Sequence, residues 1–357
     1  MGPFNFPLFP PEASTQAGQT DLLFVILILI SGFFASIVVV LIVYWGLKYR
    51  RGKAADRSNP PLSNTKLEIG WMAGLLVLAM GTYTWATIMY YHITNPPKGA
   101  MEIYVTGRQW MWKFQHPEGQ REIDVLHVPA GRDVRLIMTS EDVIHDFFVP
   151  AFRLKYDVIP GRYTNLWFNA TKTGEYHLFC SQYCGTNHAW MAGTIIVMEP
   201  RDYAAWLSGA GQVAGAGAQA GGAALPPAQA GEQLFTQMGC ASCHVSGAGT
   251  TAPSLNGLFG NPVTLADGST VTADENYIRE SILLPQRKIV AGYGPVMPSY
   301  QGRVTEDQLV QFVAYIKSLA SSGGGAGATP GVAATPASGA ATPGGAATPA
   351  SGASPTP

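Results

Sequence analysis

C-S-Q-Y-C-G-T-N-H-A-W-M, residues 180–191, decides how the centre of this 357-residue chain is read. Cys180 and Cys184 stand four apart, His188 four further on, and Met191 three beyond that. Two soft thiolates with an imidazole and a thioether suit copper; a single-copper site uses one Cys, two His and a weak Met. The second Cys at short spacing suggests two coppers bridged by both sulfurs. A further histidine is then needed, and S-E-D-V-I-H-D-F (140–147) offers His145. The plain alternative is a Cys180–Cys184 disulfide on a loop in an oxidising compartment. His188 and Met191 in register speak against it.

Other strings accompany this block in order: L-E-I-G-W (67–71), G-R-Q-W-M-W (107–112) and K-Y-D-V-I-P-G-R (155–162). Together they make the segment from Glu68 to about Trp206 resemble subunit II of cytochrome c oxidase, the copper subunit of haem-copper respiratory oxidases. The resemblance implies a binuclear centre called CuA, with His145, Cys180, Cys184, His188 and Met191 as side-chain ligands. Gln182 would add its backbone carbonyl. Trp110 matches the aromatic that lies exposed above the copper, where electrons enter. Glu68 matches an acid at the mouth of a proton channel, against the plain reading of a solvated acid at the membrane edge. Many relatives carry Glu where this chain has Gln182, and that side chain helps hold a structural magnesium. An amide offers an oxygen without the charge, so magnesium is not assigned here. Asp142 and Asp146 flank His145, and Asp157 and Arg162 match the side of the family that meets the catalytic subunit.

C-A-S-C-H (240–244) reads as covalent c-type haem attachment through Cys240 and Cys243, with His244 binding iron. Half a zinc site is the weaker reading, since no second Cys pair or later His follows. The sixth ligand is then a methionine, and of Met238 and Met297 only Met297 lies far enough along the chain to reach the opposite face. His/Met ligation raises the reduction potential. Residues 231–320, including A-P-S-L-N-G-L-F-G (252–260), resemble a small class I cytochrome c. In that family the proline matching Pro253 packs by the proximal histidine, and its carbonyl accepts the imidazole proton.

Leu22–Gly46 carries no charge over 25 positions and Ile69–Tyr91 none over 23. Each is long enough to cross about 30 Å of hydrocarbon. Lys48, Arg50, Arg51, Lys53, Arg57 and Lys66 lie between them, while the first 21 residues hold no Lys or Arg. The positive-inside rule places that loop in the cytoplasm and both flanking parts outside. The first span lacks the short apolar core of a removable signal and is read as retained.

Residues 101–200 turn to short alternating runs such as M-E-I-Y-V-T-G and T-N-L-W-F-N-A, which predict an antiparallel sandwich. Residues 207–230 are mostly Gly and Ala, carry no charge and predict a flexible linker. After Lys317 come 40 residues without a charge, a composition that cannot bury a core. His92, His116, His127 and His177 match no ligand position and are taken as ordinary histidines. The formal net charge of −1 and the lack of a basic stripe argue against nucleic acid.

The expected organisation is a multidomain membrane protein: an outer N-terminal segment (1–21), a two-helix transmembrane hairpin (22–46 and 69–91) around a cytoplasmic loop (47–68), an all-β cupredoxin-like sandwich (97–206), the linker (207–230), an all-α class I cytochrome c domain (231–320) and a disordered tail (321–357). The expected function is electron entry into a bacterial inner-membrane oxidase. Electrons would come from an upstream donor (a soluble cytochrome, a cupredoxin or a quinol-oxidising complex), pass through haem c and CuA, and reach catalytic subunit I among other subunits. The copper subunit of a related nitric oxide reductase is the nearer alternative, and a membrane-anchored copper-delivery protein the more distant one.

Overall fold

The computed structural model describes residues 9–54, 63–209, 225–244 and 251–321. The expected linker therefore falls outside the described residues over 210–224, as does the expected disordered tail from 322 onward. The two uncharged runs form the inner parts of α1 (Ala17–Lys48) and α2 (Thr65–Thr94). Both helices are exposed along their centres and are long and apolar enough to cross a membrane. They outrun the predicted spans at each end, because composition marks only the hydrocarbon-length centre while the backbone ladder continues to the caps. At the start of α2 the cap is reciprocal: Asn64 Oδ1 accepts from the Leu67 N–H and Glu68 Oε1 from the Asn64 N–H, both at 3.1 Å.

The N-terminal segment is less independent than its predicted boundary implies. Ala13 is fully buried in the sandwich core, and its backbone bonds to Ala151 and Thr171 at 3.0 and 2.9 Å. Asp21, already inside α1, receives two bonds of 2.7 Å from the Arg153 guanidinium. The other helix is tied in too, since Trp167 Nε1 donates to the His92 carbonyl at 2.7 Å. The sandwich is thus anchored directly on the outer ends of both helices.

Ten strands build the sandwich: β1 (Met101–Arg108), β2 (Met111–Gln115), β3 (Arg121–Ile123), β4 (Val125–Pro129), β5 (Asp133–Ser140), β6 (His145–Val149), β7 (Leu154–Val158), β8 (Thr164–Asn169), β9 (Gly174–Cys180) and β10 (Ala192–Met198). One sheet runs β3-β2-β1-β5-β8 and the other β4-β10-β9-β6-β7. The antiparallel expectation needs correction, because β1 pairs β5 and β10 pairs β4 in parallel. Alternation reports which face a side chain takes but not the direction of the neighbouring strand. Trp112, Phe114, Phe147, Phe152 and Phe168 fill the space between the sheets. Helix α3 (Pro200–Leu207) closes the domain.

The second domain comprises α4 (Pro227–Gln237), a short hairpin of β11 (Pro262–Thr264) and β12 (Thr270–Thr272), α5 (Glu275–Leu283) and α6 (Glu306–Ser321). Its α4 begins inside the stretch predicted as linker, and the hairpin is a small addition to the expected all-α fold. Gly231 lets α4 cross α6 backbone to backbone: a Cβ there would fall on the Gln311 carbonyl, 2.7 Å from its carbon and 2.8 Å from Tyr315 Cβ. This domain rests on the outward face of the first sheet. Ile103, Val105, Leu136 and Met138 point into the sandwich, whereas the alternate Tyr104 and Ile137 join the apolar core of the helical domain.

Candidate copper and haem sites

The copper candidates converge at one end of the sandwich, from separate elements. β6 delivers His145 at its first residue and β9 delivers Cys180 at its last. The connection to β10 carries the other four, Gln182, Cys184, His188 and Met191, with His188 opening a 3-10 turn. Cys180 Sγ lies 3.9 Å from His145 Nδ1, 3.8 Å from Cys184 Sγ and 3.3 Å from the Gln182 carbonyl. Cys184 Sγ lies 3.5 Å from His188 Nδ1 and 3.7 Å from Met191 Sδ. All six predicted donor atoms therefore face one small volume. Both cysteines are free, and their sulfurs stand well beyond the roughly 2.05 Å of a disulfide. His145, Cys180, Cys184 and Met191 are buried while His188 is half-buried, so the sulfur side of the set is shielded, and its soft sulfur and imidazole donors fit copper.

Asp142 organises the wall behind His145. One of its carboxylate oxygens takes the His145 Nε2 side at 2.8 Å and the Val143 N–H at 2.7 Å, while the other accepts the Gln109 N–H at 2.8 Å. The bond at Nε2 leaves Nδ1 turned toward the sulfurs, the usual way a neighbouring carboxylate orients a ligating imidazole. Burial raises the Asp142 carboxyl, but bonds from Gln109, His145 and Val143 prevail and hold it below its ordinary value. Burial likewise raises Cys180, yet the His145 ring and nearby backbone groups bring it down to about 7. Cys184 goes the other way, to about 12, through burial and the adjacent Cys180 charge.

Trp110 sits against the ligand loop. Gly185 has φ of +119°, and a Cβ there would lie 3.3 Å from the Trp110 ring and 2.9 Å from Gln109 Nε2, which itself donates to the Cys184 carbonyl at 2.7 Å. The indole is half-buried rather than fully exposed, packed on the core edge. Glu68 lies in the first turn of α2, far along the chain from this cluster, and serves as a cap. Asp146 and Asp157 face each other across β6 and β7. Burial, with Asp157 adding to it against the pull of Lys155, raises Asp146 to about 6.

In the second domain, Cys240, Cys243, His244 and Met297 line one cavity of about 530 Å³, walled by Leu255, Leu258, Ile278, Ile282 and Phe312. The two thiols and the imidazole enter from one short segment, and Met297 comes from the loop before α6. His244 Nδ1 donates to the Pro253 carbonyl at 2.9 Å, which leaves Nε2 free to point into the cavity. An apolar slot with this donor set fits a covalently attached haem.

Two of the histidines taken as ordinary belong to a buried cluster. Glu122, 4% exposed at its side chain, receives His116 Nε2 at 2.8 Å and His127 Nδ1 at 2.5 Å, and His116 Nδ1 meets the Tyr203 hydroxyl at 3.1 Å. Trp206 stacks on His127, so the cluster pins α3 to the sandwich. Their spacing carries no ligand pattern, so nothing in the sequence marked them. Gly107 was missed as well. Its bare Cα faces the His145 ring.

Family models match on both domains: the periplasmic domain of cytochrome c oxidase subunit II over residues 119–199, and cytochrome c over residues 228–320. Cytochrome c oxidase subunit 2 of Alkalihalophilus pseudofirmus is 32% identical over 284 residues, covering 76% of this chain and 79% of the relative. The subunit 2 of Thermostichus vulcanus is 30% identical, covering 56% of this chain and 77% of that one. Among solved structures, the periplasmic domain of oxidase subunit II from Bradyrhizobium japonicum is 34% identical, with a TM-score of 0.31, over 32% of this chain and 96% of that domain. The matched models imply copper in the sandwich and haem in the helical domain. Identity of 32% over three quarters of this chain, together with the two domain matches, shows that this chain belongs to the cytochrome c oxidase subunit II family, in the form that carries its own cytochrome c domain.

Proposed function

We propose that the chain is the electron-entry subunit of a bacterial inner-membrane oxidase, taking electrons into its cytochrome domain and passing them through its sandwich to a separate catalytic chain. The observation that carries this reading is the convergence of His145, Cys180, Gln182, Cys184, His188 and Met191 at one end of a rigid β scaffold. These residues would hold two coppers, which supply a one-electron store whose charge is spread over both metals. Asp142 holds the His145 ring and the Gln109 backbone together, and limits how far the ligands move when the charge changes. Burial of the two sulfurs excludes water and competing thiols. Trp110, packed on the loop at Gly185, is the entry point for electrons.

Cys240 and Cys243 would hold the haem covalently, and His244 and Met297, lining the same cavity, would bind its iron. Pro253 fixes the His244 ring plane through the bond at Nδ1. Glu68 would also stand at a proton entrance, on the cytoplasmic end of α2. A magnesium at Gln182 does not form part of the proposal. The catalytic partner would reduce oxygen to water, and the two apolar helices would anchor this chain beside it in the membrane.

Copper per haem, measured with the paramagnetic resonance spectrum of the full chain, tests this. Two coppers per haem and hyperfine splitting from one electron shared over both nuclei is the expected result. One copper with a four-line pattern, or a Cys180–Cys184 disulfide in haem-loaded protein, would overturn it.

A further inference from the structure

The helical domain is held on the flank of the sandwich by a closed ring of four charges from four elements. Arg135 of β5 reaches Glu102 of β1 and Glu275 of α5, each at 2.9 Å. Lys317 of α6 meets the same two acids at 2.6 and 2.9 Å. Beside the ring, the Tyr163 N–H donates to Asn276 Oδ1 at 2.7 Å, and Asn276 Nδ2 returns a bond to the Tyr163 carbonyl at 3.2 Å. Tyr163 is 1% exposed, and the Arg279 guanidinium, held twice by Glu306, lies over its ring at 5.6 Å. Pairing the ring completely makes a specific seat, since an unmatched charge here would be buried alone.

This seat is on the wrong side for transfer. α5 gives Glu275, Asn276 and Arg279 to the sandwich but Tyr277, Ile278 and Ile282 to the haem cavity, and α6 divides Lys317 from Phe312 and Ile316 in the same way. The two helices therefore stand between cavity and sandwich, and no seat residue lines the cavity. Cys243 and Val296 on the cavity rim stay exposed, the latter at 63%. At the copper end Tyr183 and Trp190 are 75% and 83% exposed, so the helical domain does not cover it.

Building on the electron-entry reading, we propose that this flank is a loading seat: the cytochrome domain waits there with its cavity rim open to an external one-electron donor, and hands over to the copper end only after leaving it. The handover moves one electron, oxidising the haem iron and reducing the copper pair, with no bond made and no proton exchanged. Nineteen residues separate Leu207 from Pro227, a contour of up to about 3.3–3.6 Å each.

Lys113 and Asp307 line the same small cleft between the two domains, so Lys113→Cys with Asp307→Cys, joined by a short bis-maleimide after metal loading, locks the seat. Reduction by soluble reduced cytochrome c should stay within twofold of the unlinked protein, while handover after pulse reduction falls more than tenfold. Separately, spin labels on the two domains should report one narrow distance, which broadens in Lys317→Glu or Glu275→Lys while the copper spectrum holds. Handover at the unlinked rate in the locked protein, or an unchanged distance in both charge variants, overturns the loading seat. Absence of a shared-electron copper signal in the unlinked chain overturns the electron-entry reading first, and the seat's role with it.

Discussion

Gly107→Ala separates the folding of the sandwich from its metal site. Gly107 lies in β1 with ordinary extended backbone, so alanine meets no conformational penalty and should firm the strand by about 0.5–1 kcal/mol. Its new Cβ, however, would stand 2.9 Å from His145 Cδ2, 3.3 Å from Cγ and 3.4 Å from Trp112 Cζ3. Carbon atoms rest at about 3.5–4.0 Å, so one of the rings has to give by about 0.5 Å or more. Both rings are fully buried, but His145 takes the tightest contact while Trp112 is held edge-on against Phe147 at 5.5 Å, so the His145 ring is the one that moves. Ligand positions tolerate only about 0.2 Å, and disturbing the group that orients a ligand typically costs 10–100-fold in affinity. The expected loss is therefore about 1.4–2.8 kcal/mol of copper binding, with the melting of the copper-free chain within about 1 kcal/mol of the parent. Competition with a chelator, read beside the copper spectrum and a thermal melt, measures both. Unchanged affinity and spectrum in a stably folded variant would refute the placing of His145 at the metal.

Three further outcomes are expected. Gly231→Ala should destabilise the haem domain by about 1–3 kcal/mol despite the higher helix propensity of alanine, because its Cβ falls on the Gln311 backbone; a raised melting temperature would show that the helices part freely. On the proposed ligation, Met297→Leu should keep the haem covalently bound through Cys240 and Cys243 but lower its reduction potential, read by redox titration, since only the thioether that would bind its iron is removed. Glu122→Gln should cost about 1–3 kcal/mol at pH 7. Burial raises the Glu122 carboxyl, but His116 and His127 hold it below its ordinary 4.5, so its contribution is present above that value and lost as pH falls through the lowered native one. The stability difference between parent and variant should accordingly shrink in acid, and a constant difference down to pH 3 would count against the cluster.

Much of the site was legible because its chemistry is local. Cys180, Cys184, His188 and Met191 share one loop, and Cys240, Cys243 and His244 one turn, so spacing alone restricts what they can bind. The uncharged runs at 22–46 and 69–91 needed nothing but length, and His145 and Met297 followed from the donors still missing. The strings at 107–112 and 155–162 carry the family resemblance in the sequence itself. What stayed hidden depends on residues far apart in the chain. Periodicity assigned sides to β1 and β5 but not their parallel pairing, which reflects the path of the chain between them.

His116 and His127 gave no local sign of sharing Glu122, because a buried carboxylate cluster has no fixed spacing. Asp21 and Arg153 lie 132 positions apart, and Glu102 and Lys317 lie 215 apart. Composition permitted the cytochrome domain any position around its linker, whereas these long-range charges and the Tyr163–Asn276 pair select a single flank. The sequence by itself thus determined which metals and spans this chain carries, since ligand type, ligand spacing and apolar length are properties of short segments. Tertiary structure alone decided that Asp142 and Gly107 frame His145, and where the haem domain rests, because burial and charge pairing exist only once distant segments meet.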